Sequence, residues 1–306
     1  MVTESPRLTY DCIIVGAGPA GLSAALMLGR CRRSVLVCDI GNPRNARSSG
    51  LHSYLTRDGI VPGEFLDLAR KDVARYQSVE FRTVEVLDAT ASSDGFRVVC
   101  ADGRQLSTRK LLLATGVVDE LPDLEGVAPL YGSSVHHCPY CDGWEWRDRR
   151  LAVLGAGVDG AKLALSLKTW SPDVALFTSG ERLDRRAHGR LQRNGIAVHA
   201  ARIARLDQED GLLRSIALVT GEPVERDALF FTTGQQPQLD LAVRLGCAFT
   251  PRGTVRTGRL SDTDVPGVFV AGDASFDAQF VVVAAAEGVK AAVAINKALQ
   301  REELRP

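Results

Sequence analysis

The residues best placed to do chemistry are two cysteines in the run His136-His137-Cys138-Pro139-Tyr140-Cys141-Asp142-Gly143-Trp144. One turn of helix puts two sulfurs with this spacing within bonding reach, and a helix start favours the thiolate that attacks a disulfide. Set among strand-helix-strand patterns, Cys-x-x-Cys reads first as redox-active. Two other readings compete. Zinc would take both sulfurs and His136 or His137, but no second Cys-x-x-Cys or His-x-x-x-His completes a tetrahedral set, so no metal site is expected. An inert buried pair is the third reading, since a free cysteine is often simply core. The remaining cysteines, Cys12, Cys31, Cys38, Cys100 and Cys247, bring the total to an odd seven scattered along the chain, unlike a secreted disulfide framework.

Two glycine-rich turns flank this dithiol in the sequence. The first lies between an apolar run ending Ile13-Ile14-Val15 and a helical stretch from Ala20 to Arg30: Gly16-Ala17-Gly18-Pro19-Ala20-Gly21. Gly16 permits the tight turn, Gly18 lets backbone approach a pyrophosphate, and Gly21 allows close packing of helix on strand. Phosphates would sit at the helix N-terminus, against its amides and the positive end of its dipole. The next apolar run, Val35-Leu36-Val37-Cys38, ends in Asp39, close to the ~20-residue spacing of an acid that holds ribose hydroxyls. The second turn, Gly155-Ala156-Gly157-Val158-Asp159-Gly160, follows Leu151-Ala152-Val153-Leu154 and precedes another small-residue helix. Its second strand, Val174 to Phe177, has no acid at its tip. Arg182, Arg185 and Arg186 follow; they suit a 2′-phosphate or, equally, a solvated face.

Further strand ends have the same character. Leu113-Ala114-Thr115-Gly116 and Phe231-Thr232-Thr233-Gly234 both run into Thr-Gly, and Val268-Phe269-Val270-Ala271-Gly272-Asp273 runs into Gly-Asp. Asp273 is placed to accept hydrogen bonds from a ribose or ribityl chain, or to cap a helix. A mostly apolar helix is expected from Val281 to Ile295.

The whole chain must supply elements to hold these groups. Its 306 residues suggest two domains, and 45% hydrophobic with 24% charged residues is ordinary globular composition. Thirty-seven basic residues balance 37 acidic ones, which argues against bulk attraction to nucleic acid or an anionic membrane. Met1 to Leu8 lacks a signal-peptide core, and runs such as Phe280 to Ala286 fall short of the ~20 residues of a membrane span. A cytoplasmic protein with no nucleic-acid or membrane partner is expected.

In this order, the motifs resemble the low-molecular-weight thioredoxin reductase family over nearly the whole chain. The resemblance implies an α/β fold of two Rossmann-like three-layer dinucleotide-binding domains, the second inserted into the first. An FAD domain would comprise residues 1–116 and 238–306, and a pyridine-nucleotide-type domain carrying the dithiol residues 117–237. It also implies a homodimer. FAD would be held by Gly16, Gly18, Gly21, Asp39, Thr115, Gly272 and Asp273, with Gln279 near the ring. Cys141 would face the flavin, Cys138 would exchange with a thioredoxin-like protein or a small dithiol or disulfide, and Asp142 would move the proton.

Three departures point to a particular branch. Thr178-Ser179-Gly180-Glu181 stands where the family has a His-Arg-Arg cluster for NADPH, Pro139-Tyr140 replaces Ala-Thr, and the loop from Asn45 to Gly59 differs. The combination is similar to an atypical branch that includes gliotoxin-type dithiol oxidases and bacterial reductases not driven by NADPH. The site at Gly155, Gly157 and Gly160 would then hold NADPH, a second FAD or nothing, and Asn45, His52 and His136 become candidates beside the flavin. The alternatives are a dithiol oxidase that passes electrons to O₂ and a redox sensor without turnover.

Overall fold

The computed structural model describes residues 9–232, 234–275 and 278–304. The N-terminal run Met1 to Leu8 and Thr233 lie outside the described residues. The first stretch of chain forms β1 (Thr9–Val15), α1 (Pro19–Arg30), β2 (Val35–Asp39), α2 (Pro62–Val73), β3 (Val79–Thr83), β4 (Val86–Ser92), β5 (Gly95–Cys100) and β6 (Gln105–Leu113). The middle forms β7 (Val117–Asp119), α3 (Val127–Leu130), β8 (Val135–His136), α4 (Pro139–Asp142), β9 (Leu151–Leu154), α5 (Gly157–Leu167), β10 (Val174–Phe177), α6 (Arg185–Arg193) and β11 (Ala197–His199). It continues through β12 (Ile203–Glu209), β13 (Leu212–Leu218), β14 (Pro223–Glu225), β15 (Ala228–Phe231) and β16 (Gln235–Pro237). The chain ends with α7 (Asp240–Arg244), β17 (Val268–Val270) and α8 (Val281–Glu303).

These elements make two compact units. One comprises Met1–Ala46, Gly63–Val118 and Gln236–Pro306; the other comprises Arg47–Pro62 and Asp119–Gln235. In the first unit β3-β2-β1-β6-β5-β4 form one sheet, with β17 also paired to β6. β1, β2, β3, β6 and β17 run parallel, whereas β4, β5 and the start of β6 form an antiparallel meander. The second unit has a parallel sheet, β11-β10-β9-β15-β8, and a separate antiparallel β12-β13-β14.

The parallel strands are covered on both faces, which is why they read as unbroken apolar runs. Cys12 and Ile14 of β1 face a layer containing Ala20, Ala24, Leu28, Ala291 and Ile295 from α1 and α8. Ile13 and Val15 face the opposite layer with Phe96, Val98 and Val268. β9 alternates in the same way, with Ala152 on one side and Leu151 and Val153 on the other. Each fully buried Leu or Ile is worth roughly 1.5–3 kcal/mol, so these layers fix the strand register.

One stretch departs from the boundaries expected above: residues 47–62 group with the second unit, not the first. The reason is local bonding. The Arg47 guanidinium donates to the Ala128 carbonyl at 2.7 Å, and the His52 imidazole lies 3.4 Å from the Glu145 carboxylate. Leu51 and Ile60 close the segment on itself as an antiparallel bridge. Among the described residues no helix is long and apolar enough to cross a membrane.

Candidate active site

The first glycine turn is built by steric exclusion. A Cβ on Gly16, whose φ is +104°, would stand 2.3 Å from the Ala114 carbonyl oxygen, and one on Gly21 would stand 1.9 Å from that of Gly16. Only hydrogen fits at either place. Gly18 differs: its backbone is extended and a Cβ there would meet nothing within 4 Å. That open space lies at the N-terminus of α1, which starts at Pro19 and has no side-chain cap. Asp39, at the tip of β2, accepts from the Ala17 amide at 2.9 Å and the Gly41 amide at 3.1 Å, and pairs with Arg70 at 3.0 Å. An uncapped helix start, room for a ligand over Gly18 and a carboxylate at the strand tip fit a dinucleotide diphosphate and its ribose.

Thr115 is brought against this turn by the Gly16 contact. Its hydroxyl donates to the Gln238 carbonyl at 2.7 Å, so it also fastens the returning chain. Gly272, with φ +80°, packs toward Ala20 of α1. Asp273 and Gln279 are joined by a residue the sequence reading passed over: Arg44 donates to the Asp273 carboxylate at 2.7 Å and to the Gln279 side-chain oxygen at 2.8 Å. Two more were missed. The buried Glu287 carboxylate accepts from the Gly272 amide at 2.7 Å and the Ser275 hydroxyl at 2.8 Å. A Cβ on Gly288 would lie 2.0 Å from the Ala20 carbonyl oxygen, so α8 crosses α1 in backbone contact. A lone acid followed by glycine inside an apolar helix was the available signal. Asn45 lies half-buried in the turn at 44–47.

The second turn repeats the exclusion. A Cβ on Gly160 would be 2.5 Å from the Gly155 carbonyl carbon, and one on Gly155 would meet the Thr232 hydroxyl at 2.7 Å. Gly157 opens α5 with φ +53°, a left-handed value that other residues adopt only with strain. At the tip of β10 stands Thr178, which is buried and whose hydroxyl has no hydrogen-bond partner. Beside it the Phe177 and His199 rings stack at 4.7 Å, and burial pulls the His199 pKa below its ordinary value. Arg182, Arg185 and Arg186 are exposed.

The dithiol forms a disulfide, with Cys138 and Cys141 Cα atoms 5.3 Å apart. Cys138 is the extended N-cap of the single turn α4, Pro139 occupies its first position, and the Cys141 and Asp142 amides both donate to the Cys138 carbonyl. Gly143 lets Trp170 in beneath the turn, since a Cβ would come 2.8 Å from the indole. Tyr140, between the cysteines, sits edge-on to Trp170 and is 66% exposed; Trp144, just after them, is 65% exposed. His136 is buried, 3.2 Å from the Asp142 carboxylate. His52 lies between Asp58 and Glu145.

The other thiols differ in kind. Burial pushes Cys38 up to about 12 and raises Cys12, Cys100 and Cys247 as well, so they stay protonated at neutral pH. Among the described residues no group of three His, Cys, Asp or Glu side chains is arranged to hold a metal.

The family model for pyridine nucleotide-disulphide oxidoreductases matches residues 10–288. The chain belongs to the pyridine nucleotide-disulphide oxidoreductase family. It is 31% identical over 346 aligned positions to a probable thioredoxin reductase of Arthroderma benhamiae, covering 99% of this chain and 84% of that one. Among solved structures it resembles a putative thioredoxin reductase TrxB of Bacillus anthracis, with TM-score 0.92, 33% identity and coverage of 96% and 100%. It also resembles HlmI, with TM-score 0.93, 38% identity and coverage of 96% and 94%. Membership of this family makes the chain an oxidoreductase of the α/β dinucleotide-binding class and implies a flavin cofactor, which the first cradle fits.

Proposed function

We propose that this enzyme is a thioredoxin reductase-like, FAD-dependent disulfide oxidoreductase in which the Cys138–Cys141 pair links the flavin to a partner disulfide or dithiol. One observation carries the reading: two cysteines bonded across a single helical turn, with a carboxylate as the next residue, in a chain with two dinucleotide cradles. FAD would supply the electron exchange between the dithiol and the donor or terminal acceptor. Gly16, Gly18, Gly21 and Asp39 bind its diphosphate and ribose, and Thr115, Gly272, Asp273 and Gln279 line the same ligand.

Cys138 is assigned the partner and Cys141 the flavin. In the reducing direction the Cys138 thiolate attacks the partner disulfide, whose S–S bond breaks as one partner sulfur leaves. Cys141 then attacks Cys138, the mixed disulfide breaks, the second partner sulfur leaves and the 138–141 bond re-forms. Two electrons and two protons have passed to the partner, and Asp142 handles the proton at Cys141. The partner is a thioredoxin-like protein or a small disulfide, and the enzyme acts as a cytoplasmic homodimer, which sedimentation of the FAD-loaded protein tests.

NADPH use is atypical in this reading, because Thr178-Ser179-Gly180-Glu181 follows β10 in place of a basic cluster for the 2′-phosphate, and the three arginines beyond it are exposed. The second cradle is assigned to NADPH, to a second FAD or to no ligand, with ferredoxin as a further donor. A second reading is a dithiol oxidase whose electrons end on O₂ as H₂O₂; the exposed Tyr140 between the cysteines and Trp144 just after them favour it by offering an apolar face to a small dithiol. Anaerobic titration separates the two. Bleaching of the flavin by NADPH supports the reductase; bleaching by a small dithiol alone, with peroxide formed in air, supports the oxidase. Cys138→Ser and Cys141→Ser each abolish turnover, a loss of at least ~10³-fold, while FAD stays bound. Unchanged turnover in either variant refutes the dithiol mechanism.

A further inference from the structure

We propose that His136, held in one tautomer by Trp146, is a positioning residue that orients the Asp142 carboxylate for its proton work beside Cys141. The proposal rests on the disulfide oxidoreductase reading and adds to it a residue and a bonding order.

The argument is one of donors and acceptors. His136 ends β8, where it pairs with Phe230 of β15, and only 4% of it is exposed. Its Nε2 lies 2.9 Å from Trp146 Nε1. An indole nitrogen can only donate, so Nε2 must present its lone pair. A neutral imidazole with an unprotonated Nε2 carries its proton on Nδ1, and Nδ1 lies 3.2 Å from Asp142 Oδ1. The order is therefore Trp146 N–H to His136 Nε2, then His136 Nδ1–H to the Asp142 carboxylate. The imidazole cannot take a second proton without losing the indole bond. His136 thus holds the carboxylate in place and does not itself relay the proton.

The neighbouring histidine shows that this is a distinct arrangement. His137 Nδ1 lies 3.0 Å from the Tyr131 hydroxyl, which donates to the Asp119 carboxylate at 2.9 Å. Since the tyrosine spends its one proton on Asp119, His137 Nδ1 must also donate. Successive histidines before Cys138 therefore serve different carboxylates, and only that of His136 adjoins a redox cysteine in sequence.

The experiment uses FAD-loaded enzyme, with dithiothreitol as the probe and anaerobic loss of flavin absorbance as the signal. General acid–base catalysis is worth ~10²–10⁴-fold, and a misplaced group forfeits part of that. His136→Phe keeps a ring in the pocket but removes the donor; it slows the limiting rate about tenfold, with the dithiothreitol half-saturation concentration unchanged. His136→Asn, whose amide N–H replaces Nδ1–H, restores the rate to within about threefold of the parent. Asp142→Asn slows the reaction at least as much as His136→Phe, and combining the two adds nothing. In ¹⁵N-histidine-labelled protein, His136 shows the Nδ1-protonated signature, which Trp146→Phe abolishes. A multiplicative loss in the double variant, a rescue failure with Asn, or an Nε2-protonated His136 overturns the proposal. An inert Asp142→Asn removes the proton role itself, and the proposal with it, even where Cys138→Ser still blocks turnover.

Discussion

The two glycine turns share a frame and differ at the strand tip. In each, the first glycine of the turn donates its amide to the last residue of the second strand's buried run: Gly16 to the Cys38 carbonyl at 2.8 Å, Gly155 to that of Phe177 at 3.1 Å. The next residue is Asp39 in one and Thr178 in the other. Asp39 bonds back to the turn through the Ala17 amide and is braced by Arg70. Thr178 buries a hydroxyl without a partner. Glycines and a helix start build a place for a diphosphate; the strand tip decides what else is held. The first strand tip is tied back to its turn by a carboxylate, and the second keeps the frame without that bond.

The largest test breaks the cradles one at a time. Gly21→Ala drives a methyl into the Gly16 carbonyl, and Gly160→Ala drives one into Gly155. Such overpacking costs roughly 1–3 kcal/mol or more, because backbone cannot step aside as a side chain can. Gly21→Ala is expected to purify with its flavin lost or bound at least ~100-fold more weakly, a loss of about 2.7 kcal/mol. Gly160→Ala retains one flavin at the first cradle. The flavin-to-protein absorbance ratio checks both, and loss of all flavin from Gly160→Ala would show that the assignment of FAD to the first turn is wrong.

A gentler variant separates ligand approach from folding. Gly18 has an extended backbone, and an added Cβ meets no protein atom within 4 Å. Gly18→Ala should leave the melting temperature of flavin-free protein unchanged while weakening FAD about tenfold, since only the ligand feels the methyl. An equal fall in the flavin-free melting temperature would mean that this glycine serves the fold. The matching Gly157→Ala is not so clean, because φ +53° strains any other residue.

What the sequence disclosed follows the range of the forces involved. Gly16 to Gly21, Gly155 to Gly160 and the buried strands β1, β2, β9 and β10 were legible because strand, turn and helix lie within a few dozen residues. The dithiol was legible because both sulfurs fall in one turn. Arg44 was not, because it meets Asp273 across 229 positions and nothing near it in sequence marks the pairing. The grouping of residues 47–62 with the second unit was hidden for the same reason: it depends on Ala128 and Glu145, not on periodicity. His136 was visible as a candidate, but its Trp146 partner and the nearby Asp142 carboxylate, 3.2 Å away, were not, since neither is marked by periodicity. The hairpin of β4 and β5 was not picked out, since short alternating runs carry little signal beside long apolar ones.

The smallest expected effects lie at the strand tips themselves and bear most directly on their difference. Asp39→Asn keeps the size of the side chain but removes the charge that faces Arg70 and the Ala17 amide. A hydrogen bond to a charged group is worth about 1.5–3 kcal/mol, so FAD affinity should fall roughly tenfold, measured by fluorescence titration of flavin-free protein. Thr178→Val removes a hydroxyl that bonds to nothing and keeps the β-branched shape. Burying an unpaired hydroxyl costs about 1–3 kcal/mol, so this variant should unfold at equal or higher denaturant concentration and leave FAD affinity unchanged. If Thr178→Val instead lowers stability, or abolishes NADPH-driven bleaching that the parent possesses, then the hydroxyl is reserved for a nucleotide ribose. The second cradle would then be a working site whose threonine does what the first entrusts to an aspartate.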